Sequence, residues 1–183
     1  MEEDQTHELG YDWIVWEHRN DCINYEDNLS KVCEFNTVED FWKYWIYLPK
    51  PIAFFYTNKN PRLLISERSV VSYSIFKKGI KPKWEDPLAS KGGEWRIRRF
   101  KCIDELDYLW EEITLLTIGN NFKHHENILG IRVVDSSQSG SNKVMYNIEI
   151  WFDSMKNSDY IKNDIGEHID DIDITKMYLR SHS

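Results

Sequence analysis

Apolar positions along the chain change period several times, and each change marks an element. Asp12–Glu17 and Ser30–Phe35 are short runs carrying Trp, Ile, Val and Phe, which predicts two strands. Thr37 then stands as a helix N-cap, with Asp40 in the capping-box position and Val38, Phe41, Trp42 and Trp45 spaced along one helical face. Pro49 and Pro51 end that helix. Two short apolar runs, Ile52–Tyr56 and Leu63–Ser66, flank Asn58–Pro61 and predict a hairpin. Val70–Phe76 and Glu94–Cys102 read as strands, separated by a loop over Lys77–Gly93. A second helix begins near Asp104, lines up Leu106, Leu109, Trp110, Ile113 and Thr117, and stops at Gly119. Strands over Ile128–Val134 and Val144–Trp151 enclose a polar loop, Asp135–Asn142. A third helix over Ser158–Ile169 and a last strand over Lys176–Ser181 complete the pattern. Hairpin-like links dominate, so the expected class is α+β: an antiparallel sheet with helices gathered on one face.

The chain of 183 residues is long enough to bury a core without disulfide or metal support. No repeat or long linker divides it, so one domain over 1–183 is expected, with 1–8 flexible. Lys and Arg number 23 against 31 Asp and Glu, a net charge of −8, which argues against a long basic groove for a nucleic-acid backbone. Reading a single nucleotide at a strand end stays open. The start lacks the basic and apolar stretches of a signal peptide, and Cys22, Cys33 and Cys102 fit neither a disulfide framework nor a zinc site. These features point to a reducing, cytoplasmic setting without a membrane. Alanine occurs only at Ala53 and Ala89 while Asn, Ile and Lys abound, a bias typical of an A+T-rich genome.

The enzyme motifs are weak. Asp171-Ile-Asp173-Ile-Thr175 spells a phosphatase-type nucleophile motif, but too little chain follows to supply its partners. His124-His125-Glu126 are adjacent in a loop and do not converge on one metal ion. No Ser or Cys stands in a nucleophile setting. The expectation is a binding protein with no catalysis, metal or cofactor.

Trp84-Glu85-Asp86 carries the strongest chemical signal. A Trp in a loop can cap the core edge, but beside a carboxylate it suits a flat cationic base with N–H donors. The ring attracts the cation through its quadrupole and the carboxylate accepts two N–H bonds. Guanine methylated at N7 is such a base.

The pieces W-I-V-W (Trp13–Trp16), T-V-E-D-F-W (Thr37–Trp42), Y-S-I-F-K-K-G-I-K-P-K-W-E-D (Tyr73–Asp86), K-G-G-E-W (Lys91–Trp95), L-D-Y-L-W-E-E (Leu106–Glu112) and I-E-I-W (Ile148–Trp151) occur in an order and spacing that resemble the eukaryotic translation initiation factor 4E family. The resemblance runs from His7 to His182. It implies a curved antiparallel sheet of about eight strands with three helices on its convex face and a messenger-RNA cap in its concave face. It implies that Trp84 and Tyr25 stack on the base, Tyr25 standing where the family has Trp, that Glu85 reads guanine, and that Trp151 packs on the N7 methyl. The family's basic phosphate contacts fall on Glu94, Ser136 and Asn147. Lys143, of the same strand parity as Asn147, and the loop hydroxyls after Asp135 are expected to meet the phosphates instead.

On the convex face the resemblance implies a site for a scaffold or inhibitor helix of the type Tyr-x-x-x-x-Leu-apolar, built from His7, Val38, Trp42, Glu112, Leu115 and Gly119. Glu8 replaces the family's Pro, and Glu111 replaces an apolar residue, so a basic residue in the partner is expected opposite Glu111. Residues 49–69 form an insertion. The resulting expectation is a monomeric cytoplasmic protein (in the host cytoplasm, if the source is viral) that binds capped messenger RNA and recruits a scaffold to begin translation. A cap-binding repressor or decoy without recruitment, and an interaction module that has lost cap binding, are the alternatives.

Overall fold

The computed structural model describes residues 6–20, 22–55, 64–65, 68–98, 100, 102–137, 145–170 and 172–183. In chain order the elements are β1 (Glu8–Arg19), β2 (Leu29–Thr37), α1 (Val38–Trp45), α2 (Pro51–Phe55), β3 (Leu64–Ile65), β4 (Arg68–Lys77) and β5 (Gly93–Arg98). They continue with α3 (Ile103–Ile118), β6 (Ile128–Asp135), β7 (Tyr146–Phe152), α4 (Ser158–His168) and β8 (Tyr178–Ser181). Seven strands form a curved antiparallel sheet in the order β2-β1-β4-β6-β7-β5-β8, and β3 pairs with the start of β4.

Alternation along the strands decides what each face buries. Trp13, Val15, Ile75, Trp95, Ile97, Ile131, Val133, Ile148 and Ile150 point to the convex side. There they pack with Leu106, Leu109, Trp110 and Ile113 of α3 and Ile161 and Ile165 of α4. Each fully buried aliphatic side chain contributes roughly 1.5–3 kcal/mol before conformational costs, so this layer fixes the three long helices on the sheet. Trp13, Trp95 and Trp110 are buried in this layer. On the opposite face, Phe76, Ile80, Ala89, Leu129 and Trp151 form a smaller cluster, with Trp16 against it.

Two local expectations are corrected. Pro51–Phe55 is a short helix rather than a hairpin strand, for Pro suits the first position of a helix as well as the end of one. Its register against the core is set by α3: the Ile52 amide donates to Asp107 Oδ1 at 2.9 Å. The rest of the expected hairpin lies partly outside the described residues; Leu64–Ile65 pair with Arg68–Ser69. The strand expected to run to Cys102 ends at Arg98, and α3 follows. The capping of α1 is as expected, with the Asp40 amide donating to Thr37 Oγ1 at 3.2 Å.

Candidate functional site

The strand register arranges the concave face as rows. Gly130, Trp151, Glu94 and Arg180 lie side by side across β6, β7, β5 and β8. The next row is Arg132, Glu149 and Arg96, and the one after it Val134, Asn147 and Arg98. Gly130 is required where it stands: a Cβ there would meet the Phe76 ring at 2.5 Å and the Ile75 carbonyl at 2.6 Å. Its absence lets Phe76 and Trp151 pack edge to face at 5.3 Å.

The β4–β5 connection builds the rim. It turns at Gly79, whose φ of +92° favours glycine. Buried Asp86 then pins the loop by accepting from the amides of Lys81 and Leu88, both at 3.0 Å. That leaves the neighbouring Trp84 and Glu85 exposed, Trp84 by 38% despite its size. Across from them, the Tyr25 hydroxyl donates to the Pro82 carbonyl at 2.7 Å, and the Tyr25 ring packs on His18 at 4.4 Å. Glu26 takes both Lys81, at 3.0 Å, and Lys83, tying the β1–β2 connection to the same loop. Burial raises the Tyr25 phenol above its ordinary value, consistent with a neutral donor.

Tyr25, Trp84, Glu85 and Trp151 therefore border one cavity of about 480 Å³, together with Pro82 and Arg132. Trp151 forms its floor and has no exposed surface of its own. The Trp151 indole donates to Glu149 Oε2 at 3.1 Å, and the His182 ring lies 4.3 Å away. On the other side of the loop, the Arg180 guanidinium sits 3.8 Å over the Trp84 ring.

A buried network of ions supports that floor. Glu149 forms an ion pair with Arg96 Nε at 3.3 Å and faces Arg132 Nη1 at 3.9 Å. Arg96 also donates to Glu94, whose second oxygen meets His182 Nε2 at 2.9 Å, while His182 Nδ1 reaches the Ala89 carbonyl at 3.0 Å. Burial raises the Glu149 carboxyl. For Glu94 burial acts the same way, but His182 and Arg96 outweigh it and hold the carboxyl below its usual range.

Arg132 is further held by Ser72 Oγ at 3.0 Å and by His18 Nδ1 at 3.4 Å. Burial, and then the Arg132 charge, lower His18 to about 4. Because the folded value lies below the unfolded one, this neutral His contributes stability above pH 6.5 that is lost as pH falls through 6.5 toward 4. Urea midpoints from pH 7.5 to 4.5 should fall more for the parent than for His18→Gln; parallel curves would contradict this role.

The expected phosphate contacts divide. Asn147 and Ser136 meet, Asn147 Nδ2 donating to Ser136 Oγ at 3.2 Å, on the concave face beyond the cavity. Lys143 and the other residues of 138–144 lie outside the described residues. Glu94, at one family phosphate position, is fully buried in the network.

The convex face carries a groove of about 330 Å³ lined by Trp42, Trp45, Leu48, Lys50, Trp110 and Glu111. Trp42 is 44% exposed, while Phe41 beside it is buried, so the expected apolar face of α1 is divided between core and surface. Glu111 pairs with Lys50 at 3.2 Å, so the cation expected opposite it is supplied by the chain itself. His7 bonds Glu39 through its ring at 2.7 Å, and its carbonyl accepts the Val38 amide at 2.9 Å. Further along α3, Glu112 Oε2 is buried without a hydrogen-bond partner, Leu115 packs against the core, and the Gly119 amide closes the helix on the Leu115 carbonyl at 3.0 Å. The structure thus joins Trp42 with Glu111, and His7 with Val38.

The weak enzyme motifs have structural roles. Asp173 caps a turn through the Thr175 amide at 3.1 Å and pairs with Lys176 at 2.7 Å; Asp171 lies outside the described residues. The His124 amide donates to Asp164 at 2.9 Å. Among the described residues no group of three metal-ligating side chains comes together. Arg132, Glu149, Arg96, His182 and Lys50 were not expected at either site. Strand parity was the available signal for the first three, since each alternates with buried apolar residues.

The family described as eukaryotic initiation factor 4E matches residues 8–181. Mouse eukaryotic translation initiation factor 4E type 1B is 36% identical over 124 residues, 66% of this chain and 46% of that protein. The chain spans about half the length of the curated relatives it matches. Ascaris suum eIF4E-3, solved with an m7G cap, superposes with a TM-score of 0.76 at 26% identity, covering 98% of this chain and 93% of that one. Schistosome eIF4E, solved with m7GpppG and 4E-BP, shares the fold at a TM-score of 0.76 and 24% identity, over 97% of this chain and 89% of the other. With a family match over nearly its whole length and a fold that superposes on a solved member, the chain belongs to the eukaryotic initiation factor 4E family.

Proposed function

We propose that this chain binds the 7-methylguanosine cap of messenger RNA on its concave face and engages a scaffold protein on its convex face, so bringing capped RNA to the start of translation. The observation that carries this reading is the shared cavity of about 480 Å³, with Trp84 and Tyr25 on its walls and the Glu85 carboxylate at its rim. A cationic base entering it meets two aromatic rings and an acceptor pair for its N–H groups. The cap-complexed Ascaris relative supports the assignment. Trp151 then packs on the N7 methyl of the base. We read 1–183 as one cytoplasmic, monomeric binding unit without a catalytic step. Among the described residues no helix is long and apolar enough to cross a membrane. Retention on immobilised 7-methyl-GTP, with elution by free 7-methyl-GTP and not by GTP, tests the cap half.

For the partner half, we assign His7, Val38, Trp42, Glu112, Leu115 and Gly119 to a helical segment of the type Tyr-x-x-x-x-Leu-apolar. Trp42→Ala should weaken that segment tenfold or more while cap affinity stays within a few-fold, because the sites occupy opposite faces of the sheet. A repressor or decoy reading is favoured by one observation: Lys50 and α2 stand against α3 beside Glu111. If Glu111 sets partner choice, Glu111→Leu should strengthen an ordinary scaffold segment, and equal binding by parent and variant would remove that reading. The Lys50–Glu111 pair is exposed, so its loss costs less than about 1 kcal/mol of stability.

A further inference from the structure

We propose that Arg98, on the concave face beyond the cavity, is the cation that meets the cap phosphates, a role that rests on the cap reading above. A cap carries several negative charges, and the concave face offers several cations. Most are already matched among the described residues. Arg96 is shared by Glu94 and Glu149. Arg132 is held by Ser72 and His18 and faces Glu149. Lys81 and Lys83 pair with Glu26. Arg180 lies on the Trp84 ring, beside the base site.

Arg98, like Arg180, meets only a ring, but it stands away from the base site, across from Asn147. Its Nε is buried and has no hydrogen-bond partner. Its guanidinium rests 5.0 Å over the ring of Tyr178, a residue that is itself 62% exposed. Such an exposed cation–π contact is worth roughly 0.5–1 kcal/mol, and a phosphate can outcompete it. No carboxylate among the described residues neutralises it.

Its position suits the task. Arg98 is the direct cross-strand neighbour of Asn147, whose Oδ1 is likewise buried without a partner. Asn147 in turn holds Ser136. Charge and neutral donors thus gather at one corner. Asn147 is four residues from Trp151 along β7, roughly 13 Å of strand. A ligand with its base against Trp151 that extends along β7 would bring its phosphates to that corner.

Affinities for 7-methylguanosine, 7-methyl-GMP and 7-methyl-GTP at low and high salt, with the parent, Arg98→Gln and Arg98→Lys, test the assignment. The parent should gain tenfold or more on going from nucleoside to triphosphate. Arg98→Gln should lose most of that gain, bind the nucleoside within about twofold of the parent, and show a log–log salt slope shallower by about one. Arg98→Lys should keep the slope and part of the gain. A full triphosphate gain in Arg98→Gln overturns the role of Arg98 alone, as does an equal loss of nucleoside and triphosphate affinity in both variants. Absence of binding by the parent to all three ligands overturns the cap reading, and this proposal with it.

Discussion

Trp84→Ala and Glu85→Ala are each expected to weaken 7-methyl-GTP binding by more than tenfold while leaving the unfolding transition in place. Both side chains are exposed at the rim, and neither belongs to the buried cluster that Trp151 and Phe76 anchor. The loop that presents them is held by Asp86 and by the Glu26 bridges, so it keeps its shape without them. A desolvated cation–π stack is worth about 2 kcal/mol or more, and a hydrogen bond to a charged group roughly 1.5–3 kcal/mol. Either loss exceeds the 1.4 kcal/mol that corresponds to a factor of about ten. Parallel titrations and thermal melts separate the two readouts. Parent-like affinity in Glu85→Ala would place the guanine-reading carboxylate elsewhere.

A second large effect is expected in stability. Glu149 is 2% exposed and stands between two guanidinium groups, Arg96 on β5 and Arg132 on β6. It also accepts the Trp151 indole. Glu149→Ala leaves Arg132 without its carboxylate, Arg96 with Glu94 alone, and Trp151 without an acceptor. Removing one member of a buried ion network costs about 3–5 kcal/mol, because a desolvated charge remains. For a chain of this size that is a fall of roughly 10 °C in Tm. Replacing Arg96, Arg132 and Glu149 together by apolar residues of similar volume should recover most of the loss. Urea unfolding of the two variants decides: a cost below about 1 kcal/mol for Glu149→Ala would show that water reaches the network.

Much of this architecture is legible in the chain. Short apolar runs bounded by polar and turn residues declare the strands, and the three long helices show in their spacing of apolar residues. The sheet, α1, α3 and α4 follow the expected elements. Helix α2 was hidden because five residues, Pro51–Phe55, are too few for a helical period, and a short apolar run between turn signals fits a strand equally well. At the cavity, Trp84 and Glu85 stood out as an aromatic and a carboxylate in a loop. Tyr25 and Trp151 could be placed only through the family's spacing.

The ionic floor was not legible for a physical reason. Arg96 and Glu149 alternate with buried apolar residues and so read as solvent-facing positions. Only the pairing of β5, β6 and β7, a non-local fact, sets opposite charges side by side and takes them out of water. The same pairing turns Arg98 from one of several strand arginines into the neighbour of Asn147. Likewise, a basic residue was expected in the partner opposite Glu111, because nothing local shows that the turn after α1 returns Lys50 to α3.

The central claim is that the cavity between Tyr25 and Trp84 takes a methylated, positively charged guanine. Titration of the intrinsic tryptophan fluorescence with 7-methyl-GTP and, separately, with GTP tests it most directly. The account predicts saturable quenching by 7-methyl-GTP and binding of GTP at least tenfold weaker, since only the methylated base is cationic. Equal affinity for the two nucleotides, or no response to either, would contradict it.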